Sequence, residues 1–277
     1  MFSKEAITAL QESQAIAAAA VAFKDQGESL NAVTLPSDYT IHDLEKFLPE
    51  RRRARGSMST SSIAAFEAYT SGNHQHGCNV FVDQTAMAAT AVLNLGTPDA
   101  PGHADDTAVL TLQRTAAYKA LLLVANGAGH SQTVVAEFLE DWPDFIKCFN
   151  DAGEITPPKA IAAIRKLTIE SLRKLESTEQ QLSASRSAFE SVQATSADPL
   201  PTTIYFTCEP YQDLPARTFV LRLSIKTGES KPAISLRIVK AEKHAEEMAL
   251  ELSDLITAAF GGTEEIPVLL GKYSRFN

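Results

Sequence analysis

Residues 218–240, TFVLRLSIKTGESKPAISLRIVK, decide how the rest of the chain is read. In the first run Phe219, Leu221, Leu223 and Ile225 alternate with Arg222, Ser224 and Lys226, and in the second Leu236 and Ile238 alternate with Ser235 and Arg237. A period of two marks a strand with one buried and one wet face. Thr227-Gly228-Glu229-Ser230-Lys231 between the runs carries turn chemistry, so the segment predicts an antiparallel hairpin. If its register pairs like positions, Arg222, Lys226 and Arg237 with two serines form a basic, hydroxyl-rich sheet face. Such a face suits phosphates or an acidic protein surface. The competing reading is an ordinary solvated face, balanced by Glu242, Glu246 and Glu247 downstream.

Working outward, Thr203 to Cys208 alternates as a further strand, and Ala241 to Phe260 predicts a closing helix capped by Gly261-Gly262. Pro157-Pro158 opens a long helix over about 159–181, because proline is well placed in a first helical turn. Toward the N-terminus, Asn79 to Asp83, Met87 to Leu95 and Ala108 to Gln113 form a second group of short strands rich in Val, Phe, Leu and Thr. Helices are expected over Lys4 to Phe23, from Ser61 or Ser62 to Gly72, over Thr115 to Ala125 and after Ser131. The fold class is therefore α+β, with antiparallel strands in two groups (about 79–113 and 203–240) packed with helices. A division into 1–150 and 151–277 is convenient, and one intertwined domain fits equally well.

The 277 residues are 44% hydrophobic and 21% charged, which excludes a disordered or low-complexity chain. Three widely spaced cysteines, Cys78, Cys148 and Cys208, do not form a secreted disulfide framework and point to a reducing cytoplasm. Ala15 to Phe23 is the longest apolar run near the start, too short to span a bilayer and preceded by Glu5 and Glu12 rather than by a basic region. A cytoplasmic protein without membrane attachment is expected. The formal net charge is −9, yet Arg51-Arg52-Arg53-Ala54-Arg55 and residues 201–240 stand out as basic. Global attraction to nucleic acid is not expected, while these two stretches leave room for a local basic surface.

Candidate chemistry is sparse. His74, His76 and Cys78 alternate, so on an extended segment all three would face one metal ion. His103, Asp105 and Asp106 sit in a Pro/Gly-rich loop and offer a base oriented by a carboxylate. No nucleophile elbow, phosphate-binding glycine loop or catalytic cysteine context is present, so no catalytic residue and no cofactor is assigned. Arg51, Arg52, Arg53 and Arg55 read either as phosphate or acidic-partner contacts or as a surface link whose charges pair with neighbouring acids, and without interleaved aromatics they make no stacking platform. Trp142 reads as a half-buried helix end.

Several phrases carry a resemblance: Leu35-Pro-x-x-Tyr39-Thr-Ile-His-Asp-Leu44, Arg51-Arg-Arg53, Ala136-Glu-Phe-Leu-Glu-Asp-Trp142, Phe206-Thr-Cys-Glu-Pro-Tyr211, Leu221-Arg-Leu-Ser-Ile and Leu236-Arg-Ile-Val239. Together they resemble the YfdQ-like family of phage and prophage proteins, a family of unknown function. The resemblance implies an early-expressed protein encoded near recombination or exonuclease functions, and brings no catalytic residues with it. Three roles follow as expectations. The first is an accessory protein that binds a host-defence or DNA-recombination component, of host or phage origin. The second is a direct nucleic-acid binder using the hairpin and Arg51 to Arg55. The third is a homo-oligomer assembled through the alanine-rich first helix.

Overall fold

The computed structural model describes residues 3–24, 45–166, 200–226, 233–261 and 266–274. The Leu35 to Leu44 phrase, the hairpin turn at 227–231, residues 167–181 of the long helix and Gly262 lie outside the described residues.

The chain divides into two units, Met1–Ala54 and Arg55–Asn277. In the first, α1 (Lys4–Lys24) follows from its run of alanines, and the Ser3 hydroxyl accepts the Ala6 N–H at 3.2 Å at its start. Its apolar residues Ile7, Leu10 and Ile16 are exposed. A short 3₁₀ turn at Glu45–Phe47 places the Glu45 carboxylate where it accepts the Arg52 N–H at 3.2 Å.

The second unit contains strands β1 (Gly56–Thr60), β2 (Asn79–Asp83), β3 (Ala88–Val92), β4 (Asp106–Thr111), β5 (Asn126–His130), β6 (Ile146–Asn150), β7 (Gly153–Ile155), β8 (Thr203–Cys208), β9 (Arg217–Lys226), β10 (Ala233–Ile238) and β11 (Val268–Leu270). Its helices are α2 (Ile63–Asn73), α3 (Ala116–Val124), α4 (Gln132–Asp141), α5 (Pro157–Arg165) and α6 (Ala241–Phe260). Ser62, Thr115 and Ser131 cap α2, α3 and α4, each side-chain oxygen accepting a backbone N–H of the first turn.

The first sheet runs β1-β4-β3-β2-β11. Its inner pairs are antiparallel, but β1 joins β4 and β11 joins β2 in parallel. The strands within 79–113, β2, β3 and β4, are antiparallel as expected, and the parallel margins come from strands outside that range. They arise because β1 and β11 come from distant parts of the chain and pair at the edges left open by the central meander. Val80, Val82, Ala89, Ala91, Ala108 and Leu110 line its buried side. Over it α2 packs on β4, and Phe66 meets Phe260 of α6 edge to face with centroids 6.0 Å apart.

The second sheet is antiparallel throughout, in the order β5-β10-β9-β8-β6-β7. Strands from both sides of residue 151 share it. Ile204, Phe206, Phe219, Leu221, Leu223, Ile234 and Leu236 turn inward, on the side covered by α3, α4 and α5. A single cluster of buried side chains continues from one sheet to the other. Burying it is the main favourable contribution to folding.

Four strands escape sequence reading. Asn126–His130 (NGAGH) has no apolar alternation and is a strand only because it docks on β10, where Ser235 Oγ donates to Gly127 O at 2.9 Å. Strands β6, β7 and β11 are short and likewise depend on partners remote in sequence. The described part of the expected 159–181 helix is α5, which ends at Arg165.

Candidate functional site

The outward face of the second sheet is built row by row from strand register. Arg237 of β10 lies opposite Arg222 of β9, Arg222 opposite Thr203 of β8, and Thr203 opposite Phe149 of β6. The next row carries Val220, Tyr205 and Lys147, and Thr218 faces Thr207 beyond it. On the other side Ser224 faces Ser235. Residues directly opposite in an antiparallel pair project to the same side, so these residues form one face. Lys147, Tyr205, Thr207, Thr218, Arg222 and Arg237 are exposed on it.

Two properties single out this face. Arg222 and Arg237 are cross-strand neighbours of like charge, an arrangement that costs stability. Neither side chain has an ion-pair or hydrogen-bonded partner among the described residues. Beside them the Tyr205 and Phe149 rings pack at a centroid distance of 4.8 Å and an interplanar angle of 43°, and Tyr205 remains 39% exposed. Lys147 stands opposite Tyr205 in register, while Glu154, opposite Phe149 on β7, brings a carboxylate to the outer margin. The result is an open strip with three cations, an aromatic pair and the hydroxyls of Thr203, Thr207 and Thr218.

The register places Arg222 and Arg237 together as the hairpin pattern predicts, with Ser224 against Ser235. Lys226 ends β9 opposite Ala233. Arg51, Arg52 and Arg53 belong to the first unit, and Arg55 leads into β1 at the margin of the first sheet. Sequence reasoning missed Lys147, Phe149 and Tyr205. The alternation in Ile146-Lys147-Cys148-Phe149 was available as a signal, but only pairing with β8 brings Phe149 to Tyr205.

The His74 to Cys78 segment is not extended, and this corrects the premise on which three metal ligands would face one side. Cys78 N–H donates to Gln75 O at 3.0 Å across a turn, and Gly77 has φ +80°. A Cβ there would lie 2.2 Å from Gly96 O, so glycine alone permits the turn against the next loop. His74 Nδ1 lies 2.9 Å from Ser71 O and His76 is exposed, whereas Cys78 is fully buried beside Val80. Among the described residues no group of three or more His, Cys, Asp or Glu is placed to hold a metal ion.

The His103 loop has a structural explanation. Buried Asn94 donates to Asp105 Oδ1 at 2.9 Å and accepts the Asp105 and Asp106 N–H groups at 3.1 and 3.0 Å. Burial, reinforced by the Asp105 charge, raises the Asp106 carboxyl above its ordinary range. The cysteines are buried, and desolvation pushes their thiols up to about 11 at Cys78 and about 12 at Cys148 and Cys208. They are protonated at neutral pH and therefore poor nucleophiles. Trp142 caps α4 half-buried, its ring edge to face with Phe145 at 5.2 Å.

Among the described residues no helix is long and apolar enough to cross a membrane. No curated protein and no solved structure matches the chain. A family described as "Uncharacterized conserved protein (DUF2303)" matches residues 4–273, which takes in both units. With nearly its whole length matched, the chain belongs to the uncharacterized conserved family DUF2303.

Proposed function

We propose that this protein is a non-enzymatic nucleic-acid-binding accessory protein that takes a single strand across the open face of its second sheet. The observation that carries the reading is the Arg222 and Arg237 pair, whose side chains have no partner among the described residues, set beside the exposed Tyr205 ring and the half-buried Phe149 ring. Guanidinium groups neutralise backbone phosphates, and aromatic rings offer a stacking surface to bases that only unpaired strands present. A flat sheet bearing aromatics is one of the recurring ways in which proteins meet single-stranded RNA. Because the molecule carries a net charge of −9, contact depends on this local face and not on long-range attraction. The resemblance of its sequence phrases to phage and prophage proteins supports a place in a phage recombination module, in the host cytoplasm.

The test is fluorescence anisotropy of labelled 20-nucleotide single-stranded DNA, single-stranded RNA and duplex DNA at low salt. Binding that favours a single strand and collapses in R222E/R237E supports the proposal. Absence of binding, or binding indifferent to that double change, refutes it. An acidic surface of a host or phage protein is the second reading, favoured by the same guanidiniums. It predicts that R222E/R237E removes a partner recovered from infected cells while no oligonucleotide binds.

A further inference from the structure

A second site lies away from the strip. A cleft of about 670 Å³ opens between the turn after β2, the start of α6, and the place where Arg114 bridges Tyr211. Volumes of this order hold drug-sized ligands. Two backbone hydrogen bonds clamp that bridge, Thr115 N–H to Pro210 O and Gln212 N–H to Gln113 O, both at 3.1 Å. Arg114 is exposed, and its Nε donates to the Tyr211 hydroxyl at 3.3 Å. Its two terminal nitrogens have no partner among the described residues. The guanidinium is thus held by one edge with its remaining donors unused, as bidentate recognition of an oxyanion requires.

The rest of the lining mixes apolar side chains with the polar Gln84, Thr85 and Glu246. Met87, Met248 and Tyr118 are buried side chains that border the cleft, and Tyr118 stacks on Phe219 with centroids 5.2 Å apart. Gln84 is fixed by donating its Nε2 to Ser253 Oγ at 3.0 Å, which leaves its carbonyl oxygen to accept. Met87 adopts φ +51°, a left-handed conformation uncommon outside glycine, and its carbonyl accepts Leu112 N–H at 3.1 Å. Strain of this kind concentrates at ligand sites.

We propose that this cleft binds a small organic anion with a flat apolar body, its carboxylate or phosphate on Arg114 and its body against Met87, Met248 and Tyr118. Glu246 at the mouth and the Gln84 carbonyl accept hydroxyl or amino donors from such a ligand. The inference is independent of the reading of the sheet face.

Isothermal titration calorimetry on the full chain tests it with two matched pairs. Indole-3-acetate is compared with its neutral amide, and adenosine monophosphate with adenosine. The expected result is millimolar or tighter binding of at least one anion, with its neutral counterpart at least tenfold weaker. The anion that binds decides between carboxylate and phosphate. R114M should lose at least tenfold. Failure of both anions at millimolar concentration, equal binding of charged and neutral partners, or indifference to R114M would each overturn the proposal. The matched pairs are read on the unmodified chain, so that part of the test does not depend on how any variant folds.

Discussion

Replacing both facing arginines with glutamine, R222Q/R237Q, should weaken binding while strengthening the fold. Lys147, Arg222 and Arg237 give three candidate phosphate contacts on the strip. Lys147 is two strands and two residues from Arg222, about 12 Å at ordinary strand spacing. For single strands the logarithm of affinity falls with the logarithm of salt by about 0.7 per phosphate, so three contacts give a slope near −2. Raising salt from about 50 to 200 mM should then cost the wild type roughly 20-fold in affinity, against roughly threefold for the double variant with its one remaining cation. Stability should move the other way. The two cations face each other without an acidic partner among the described residues, so neutralising them should gain about 0.2–1 kcal/mol. Anisotropy titrations over a salt series and urea unfolding of both proteins make the comparison. An unchanged salt slope would refute the placement of phosphates on this face, and a large loss of stability would show that the arginines hold the fold.

Tyr205→Ala should weaken single-strand binding by roughly 5- to 150-fold, the range for about 1–3 kcal/mol of base stacking, and should leave any duplex binding nearly unchanged in the same anisotropy assay. Gly77→Ala should destabilise by more than about 1 kcal/mol, seen as a lower thermal midpoint, because the added carbon meets Gly96 O where φ is +80°. Asp106 has its folded pKa raised by burial, so the ionised carboxylate costs stability at neutral pH and that cost disappears as pH falls through the carboxylate range. Asp106→Asn should therefore be more stable than wild type at pH 7, with the difference closing toward pH 3. Urea melts across that range would refute the sign if the gap widened on acidification.

How much of this was legible in the chain follows from the range of the interactions involved. The alternation in residues 218–240 needs only neighbours in sequence, and it announced both the hairpin and the arginine pair, because a strand's faces follow from its own period of two. Capping serines, proline at a first helical turn and the alanine-rich first helix are equally local, and the structure keeps Ser62, Ser131 and Pro157 in those positions. Composition and cysteine spacing pointed to an ordered chain without a disulfide framework, and the strand and helix periods to an α+β one. Only tertiary structure decided the rest. Phe149 reaches Tyr205 because β6 pairs with β8 more than fifty residues later, and Arg114 is held by Tyr211, 97 residues further along the chain. The His74 to Cys78 alternation misled because its backbone is a turn, fixed by the close approach of Gly77 to Gly96. The physical reason is the same in each case: periodicity and caps are properties of a few adjacent residues, whereas strand order and the meeting of distant side chains are settled by how the whole unit buries its apolar surface.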